Sequence, residues 1–188
     1  MKYIYRLIVA ALFVTVSATS FYSCETVEME LLASPNALSS DQADPDLLLN
    51  SIQLSYRRSQ RIFSNNSGDL GRISYMGGRQ YLDNYGDNTL NGVWNLFYSN
   101  NQPNLLALEQ ISEANPDRDL SYHLGVAKTL QAHTLMQLVD YLGDIPWSEA
   151  NNSAEFPKPS VDDDASVYDA AIAYLSEAAG HFASGAGI

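Results

Sequence analysis

The sequence has little cysteine, little histidine and few basic side chains, and each shortage excludes a class of function. The one cysteine, Cys24, cannot form an intramolecular disulfide, so burial of apolar surface has to stabilise the fold. The three histidines, His123, His133 and His181, form no HExxH zinc motif, and no CxxC, P-loop or GxSxG pattern occurs. We therefore expect no metal, no cofactor and no catalytic residue.

Basic residues are outnumbered, with 10 Lys and Arg against 22 Asp and Glu and a formal charge of −12. A surface of this sign repels nucleic acid, so nucleic acid is excluded as a partner. The acidic run of residues 162–164 lacks the spacing of an EF-hand. A helix N-terminus, where the helix dipole favours negative charge, explains this run better than weak calcium binding.

The apolar run near the N-terminus is short. Residues 7–18 form an uncharged core of 12 residues, preceded by the basic residues Lys2 and Arg6. A membrane-spanning helix needs roughly 20 apolar residues, so the run predicts a secretory signal peptide over residues 1–23. Loss of Lys2 and Arg6 with this peptide changes the formal charge from −12 to −14.

Cys24, directly after the signal core, is either a leftover thiol or the acylated residue of a lipobox. A free thiol in an exported protein invites intermolecular pairing, whereas diacylation removes the thiol and provides the second chain that stable anchoring requires. We predict lipidation at Cys24, although residues 21–23 differ from the usual Leu-Ala-Gly type. Residues 24–43 would then be a lipid-anchored tether, and its first acidic residues are either a solvated linker or a surface-export signal like those of Bacteroidetes lipoproteins.

Residues 44–188 predict an all-α domain, because the alternating apolar runs typical of strands are missing. Asp44 can cap a first helix and Pro45 suits its first position, while Pro103 should kink or split the second helix near Asn101. The predicted helices span residues 45–63, 92–114, 120–142 and 165–182, with a long loop at 64–91 and an extended connector at 144–164. Helical pairs that cannot bury their faces alone form stacks, but no clean 34-residue repeat is present, so we predict a TPR-like helical stack.

The third helix has the strongest pattern, because it is apolar over most of its circumference and should be buried between other helices. Its apolar stripes contain Leu120, Leu124, Ala127, Leu135, Leu138 and Leu142, and Tyr122, Val126 and Met136. Small residues that would let a neighbouring helix approach closely are Ser121, Gly125 and Ala132. Gly143 should end this helix in a left-handed conformation. The buried stripe predicted for the last helix is Val167, Ala171, Leu175, Ala178 and Phe182.

The most specific motif, D-Y-L-G-D-I-P-W-S-E-A at residues 140–150, follows directly on the third helix. It resembles the D-x-x-G-D-I-P-[YW]-[ST]-E-A stretch of SusD/RagB nutrient-binding lipoproteins, in particular their starch-binding-associated branch. Three further features occur in the same order as in that family: the lipobox, the pair Trp94 and Tyr98, and the last helix after a Pro-rich connector. The resemblance covers the mature chain but less than half of a full family member. We therefore expect the stack to be incomplete at its C-terminus and this piece alone to fold poorly.

Within the motif, we interpret the residues as a structural corner and assign them no ligand contact. Gly143 permits a sharp turn, in which Asp144 can accept backbone N–H bonds. Pro146 prevents the helix from resuming, and Trp147 can pack back on the bundle.

The resemblance implies a binding protein and not an enzyme. Such a protein lies on the outer face of the outer membrane, over a SusC-type TonB-dependent transporter, and captures an oligosaccharide or, less often, a peptide. Two other functions stay open from the sequence. One is a surface scaffold or adhesin that holds a protein partner, and the other is a surface glycosidase, although no carboxylate pair stands out.

The region of residues 75–101 combines aromatic, amide and charged side chains, the mixture that sugar recognition uses. The candidate ligand-binding residues there are Tyr75, Arg79, Tyr81, Asn84, Asp87, Trp94 and Asn101. The alternative is that Tyr85 and Trp94 belong to the core and the rest is an ordinary polar loop.

Overall fold

The computed structural model describes residues 2–4, 6, 43–74, 86–152 and 154–185. Residues 2–4 and 6 are helical and exposed. The remaining described residues form α1 (Pro45–Leu70), α2 (Asn91–Leu96), a π-helical segment (Phe97–Asn101), α3 (Gln102–Ala114), α4 (Ser121–Leu142) and α5 (Asp164–Ser184). These ranges contain no strand, only one isolated antiparallel bridge between Ile145 and Asp162. The all-α prediction is confirmed.

The predicted signal peptide, Cys24 and the tether lie outside the described residues, except for residues 2–4, 6 and 43. No helix in the described part of the chain has both the length and the apolar character that crossing a membrane requires.

Helix α1 begins as predicted but ends later. The carboxylate of Asp44 accepts a hydrogen bond from the backbone N–H of Asp46 at 3.0 Å, and Pro45 occupies the first turn. The helix continues to Leu70, so the loop predicted from residue 64 was wrong for residues 64–70. Ser and Asn in this stretch each cost a helix only about 0.7 kcal/mol or less, and no proline is present to stop it.

The break predicted near Asn101 is a π-helical segment between α2 and α3. The N–H of Gln102 bonds to the carbonyl of Phe97, five residues earlier. Pro103 then lies in the first turn of α3, where its missing N–H leaves no hydrogen bond unmade. The wider turn thus lets the chain continue in one direction past the proline.

Contacts between side chains give the directions of the helices. Hydrogen-bonded pairs between α1 and α4 keep a nearly constant separation of 74 to 77 residues, which requires parallel helices: Asp46–His123, Tyr56–His133, Gln60–Gln137 and Ser67–Tyr141. Helix α5 is antiparallel to α4, because Lys128 bonds Glu177 and Asp140 bonds Tyr168. The segment from Asn100 to Asn104 is antiparallel to α1 through Ser51 and Ser55. Helices α1 and α3 thus form one antiparallel hairpin, and α4 and α5 form a second. The first helices of the two hairpins are parallel, which is the arrangement expected of a TPR-like stack.

Helix α4 lies between its neighbours, as predicted, and contacts α1, α3, the π-helical segment and α5. Two apolar clusters form the core. One surrounds Phe97, Leu135 and Val167, and the other surrounds Ile52, Leu105 and Leu108. Along α1, along the π-helical segment with α3, and along α4, buried polar residues lie between the two clusters: Ser55, Ser59, Asn101, Gln102, Lys128 and Gln131.

Four residues of the predicted buried stripes are exposed, which corrects the expectation for the outer side of the stack. They are Tyr122, Leu142, Leu175 and Phe182. Helix α5 covers α4 with one face, and no described element packs on its other face. The predicted close approach of a neighbouring helix at the small residues of α4 is confirmed at Gly125. A Cβ on Gly125 would lie only 2.7 Å from the ring of Phe182 on α5.

Gly143 ends α4 with φ +74° and ψ −125°, and its N–H bonds to the carbonyl of Val139. The positive φ was predicted, but the ψ value is not that of a left-handed helical cap. An L side chain rarely adopts this φ, so the turn after α4 depends on glycine.

Gly143→Ala should lower the free energy of unfolding by about 1–3 kcal/mol, the cost of a non-glycine residue in a sparsely populated backbone region. Open space surrounds Gly143, so backbone strain and not a clash is the cause. Gly180→Ala is the matched control. Gly180 lies in α5, also in open space, and Ala there should stabilise by up to about 1 kcal/mol. Urea unfolding followed by circular dichroism measures both changes, and equal effects would contradict the prediction.

Candidate functional site

A cavity of about 320 Å³ opens where α3, α4 and α5 meet the corner after Gly143. Its volume is at the lower end of the range of about 300–1,000 Å³ for small-ligand pockets. We call it the Trp147 pocket. The residues that line it are Glu109, Lys128, Trp147, Ala170, Ala173, Tyr174 and Glu177.

The backbone around Trp147 is held from two sides. The carboxylate of Asp162 accepts hydrogen bonds from the N–H of Trp147 at 2.7 Å and from the N–H and hydroxyl of Ser148 at 3.0 and 2.6 Å. The hydroxyl of Tyr98 donates to the carbonyl of Pro146 at 2.5 Å. Burial, together with the nearby charge of Asp162, raises the pKa of Tyr98, so this hydroxyl keeps its proton for the bond.

The indole of Trp147 is half-buried and packs against the bundle, as predicted. Its ring centroid lies 6.4 Å from that of Phe97 and 5.7 Å from that of Tyr174, the latter at an edge-to-face angle of 82°. Such edge-to-face pairs contribute roughly 0.5–1.5 kcal/mol beyond their buried area. The corner therefore places one aromatic wall of the pocket.

The predicted role of Asp144 was wrong. Its carboxylate does not bond within its own turn but accepts the N–H of Asp164 at 3.0 Å, at the start of α5. The adjacent Asp163 caps α5 by accepting the N–H of Ser166 at 3.2 Å, which confirms the cap predicted for residues 162–164. The turn after α4 is thereby tied to the N-terminus of α5.

The inner wall of the pocket is an ion-pair network. Lys128 on α4 is 5% exposed, and its ammonium donates to Glu109 on α3 and, at 2.6 Å, to Glu177 on α5. The ammonium also lies 4.9 Å from the centroid of the Tyr174 ring. Burial opposes the charge, but the two carboxylate hydrogen bonds outweigh it and raise the pKa of Lys128 above its ordinary value. Burial, reinforced by Glu109, also raises the pKa of Tyr174.

The pocket leaves hydrogen-bond acceptors unused. Lys128 binds Oε1 of Glu109 and Oε2 of Glu177, and the other oxygen of each carboxylate has no partner among the described residues. The same holds for the hydroxyl of Tyr174. Both carboxylates are counter-ions of Lys128. The described residues also contain no cluster of ligands that could hold a metal ion.

Of the predicted ligand-binding residues, Tyr75, Arg79, Tyr81 and Asn84 lie outside the described residues. The other three are not brought together on one surface. Asp87 is exposed beside a second cavity of about 170 Å³. Trp94 is half-buried with its ring centroid 4.6 Å from that of Tyr98, and Asn101 is completely buried. Ligand contact by these seven residues stays a prediction.

The sequence analysis missed Glu109, Lys128, Tyr174 and Glu177, and it gave Trp147 only a structural role. One signal was present, because Lys128 is the only Lys, Arg, Asp or Glu between Ser121 and Val139. A lone charge on a helix that is otherwise apolar requires partners from neighbouring elements.

A family profile of SusD-like proteins, described as starch-binding associating with outer membrane, matches residues 35–188. The chain belongs to the SusD-like family. This family consists of binding proteins rather than enzymes, and its description places it at the outer membrane. Comparisons of this SusD-like chain with curated proteins and with solved structures gave no match.

Asp162→Asn should destabilise the protein by about 1–3 kcal/mol near neutral pH. The reason is that a neutral amide cannot accept the charge-assisted hydrogen bonds that Trp147 and Ser148 donate to the carboxylate. Burial opposes the charge of Asp162, but these bonds outweigh it and hold the pKa of its carboxyl group below the ordinary value of an aspartate. The unfolded chain therefore takes up the proton first as pH falls, and the stabilisation is lost as pH falls through the folded pKa.

Urea unfolding between pH 7 and pH 2.5 measures this effect, and the difference between wild type and Asp162→Asn should shrink toward the acid end. Asp169→Asn is the matched control, because Asp169 is exposed on α5 and has no partner among the described residues. A constant difference across the pH range would contradict the role of the carboxylate.

Proposed function

We propose that this SusD-like protein is a cell-surface lipoprotein that binds a nutrient and delivers it to a SusC-type TonB-dependent transporter. An oligosaccharide is the preferred ligand and a peptide is the second candidate. The family match over residues 35–188 carries the proposal, because the family description combines starch binding with the outer membrane.

The structure supports a binding function in two ways. The two helical hairpins form a stack, a shape that other helical-repeat proteins use to hold partners. The Trp147 pocket combines an aromatic wall with placed polar groups, which is the general composition of small-ligand sites. The acidic composition of the chain opposes nucleic acid as the alternative ligand.

Titration of the full mature protein with maltooligosaccharides in a calorimeter should give saturable binding, and chromatography of the mixture should show no shorter products. The reason is that the Trp147 pocket offers hydrogen-bond acceptors and aromatic faces, which is the composition of a binding site. Hydrolysis would contradict the proposal in favour of a surface glycosidase. A glycan array without hits, combined with co-purification of a partner that is not a transporter, would favour a scaffold or adhesin.

Anchoring through Cys24 has its own test in cells. Cys24→Ser should abolish labelling of the protein with a fatty acid and move it from the membrane to the soluble fraction, because neither acyl chain can then be attached. Thr26→Ser, two residues away, is the matched control and should keep both the label and the membrane location. Membrane retention of Cys24→Ser without fatty-acid label would overturn the lipid anchor.

A further inference from the structure

The Trp147 pocket carries more negative than positive charge. Its three charged residues are Glu109, Glu177 and Lys128, and the ammonium of Lys128 already faces both carboxylates. Lys128 lines the cavity, but it is almost completely buried and both carboxylates already neutralise its ammonium. Glu177, by contrast, has a side chain that is 54% exposed and reaches the cavity opening. A negatively charged ligand would therefore meet like charge there.

The unused groups of the pocket are mainly acceptors. One oxygen of Glu109, one oxygen of Glu177 and the hydroxyl of Tyr174 have no partner among the described residues. A ligand satisfies such a set only if it brings several O–H or N–H donors close together. Adjacent hydroxyl groups on one sugar ring do so without adding charge, whereas a uronate or sulfate group would bring more acceptors.

The remaining walls suit the apolar side of a sugar ring. Trp147 and Tyr174 supply aromatic surface, which packs well against C–H groups. Ala170 and Ala173 line the cavity from α5 with single methyl groups, so the volume of about 320 Å³ stays open. A larger side chain at either position would occupy that space.

Resting on the proposed function, we infer that the Trp147 pocket is a subsite for one neutral sugar unit of a bound oligosaccharide. The unit places its hydroxyl groups on the free oxygens of Glu109 and Glu177 and its C–H surface toward Trp147. The excess negative charge makes the subsite selective against acidic sugars. Lys128 holds the two carboxylates in position.

The test compares two identical substitutions on α5 of the full mature protein. Ala173→Leu fills the cavity and should weaken the binding of maltotriose by about tenfold or more. Ala179→Leu is the matched control, because Ala179 is exposed on the same helix and does not line the pocket, and its affinity should equal that of wild type. Calorimetry gives the affinities, and thermal melting shows whether both variants remain folded.

Charge selectivity is measured with maltotriose and with its analogue whose terminal unit is a glucuronate. Wild type should bind maltotriose more tightly, and Glu177→Gln should reduce this preference several-fold, because the substitution removes charge but keeps an acceptor oxygen. Glu113→Gln, on the exposed side of α3, should leave the preference unchanged.

The outcomes separate this inference from the proposed function. If wild type binds maltotriose and Ala173→Leu binds it equally well, the pocket is not the subsite, although nutrient binding stands. Equal affinity for the glucuronate analogue overturns the selectivity. Binding of a peptide amine but not of maltotriose would also overturn the inference and assign the pocket to ammonium ligands. Failure of wild type to bind any oligosaccharide or peptide removes the proposed function itself.

Discussion

The buried ammonium of Lys128 constrains the arrangement of α3, α4 and α5. An unpaired charge at this depth would cost several kcal/mol, so α4 can occupy the centre of the stack only where neighbouring helices supply carboxylates. Glu109 and Glu177 meet this requirement from opposite neighbours. Both glutamate side chains are partly exposed, so water screens the two ion pairs and lowers the free-energy cost of burying their charges.

A second polar feature divides the apolar core in the middle of the helices. Along α1, the π-helical segment and α4, buried residues such as Ser59, Asn101 and Gln131 interrupt the apolar pattern. The side-chain polar atoms of these three residues have no partner among the described residues. Buried amides of this kind normally bind internal water, so we expect ordered water within the stack. The π-helical segment belongs to the same feature, since its wide turn brings Asn101 and Gln102 into the interior.

The sequence analysis predicted correctly the features that depend on residues close together in the chain. The apolar circumference of α4, the glycine at its end and the aspartate caps at Asp44 and Asp163 are all determined by neighbouring residues in the chain. The additional turns of α1 after Phe63 were missed, because weak propensities in Ser and Asn leave the end of a helix to tertiary packing. Exposure of Phe182 was missed for a related reason. The pattern shows that a side chain is apolar, but not whether a further helix covers it.

The candidate site was harder to predict because its residues come from separate helices and one corner. Lys128 lies 19 residues from Glu109 and 49 from Glu177, and only the directions of α3, α4 and α5 bring them together. Trp147 shows a further limit. A structural corner and a ligand contact were treated as alternatives in the sequence, yet a side chain that contacts a ligand has to be held rigidly. Asp162 and Tyr98 fix the backbone on either side of this indole, so its structural role is the condition for its proposed role in binding.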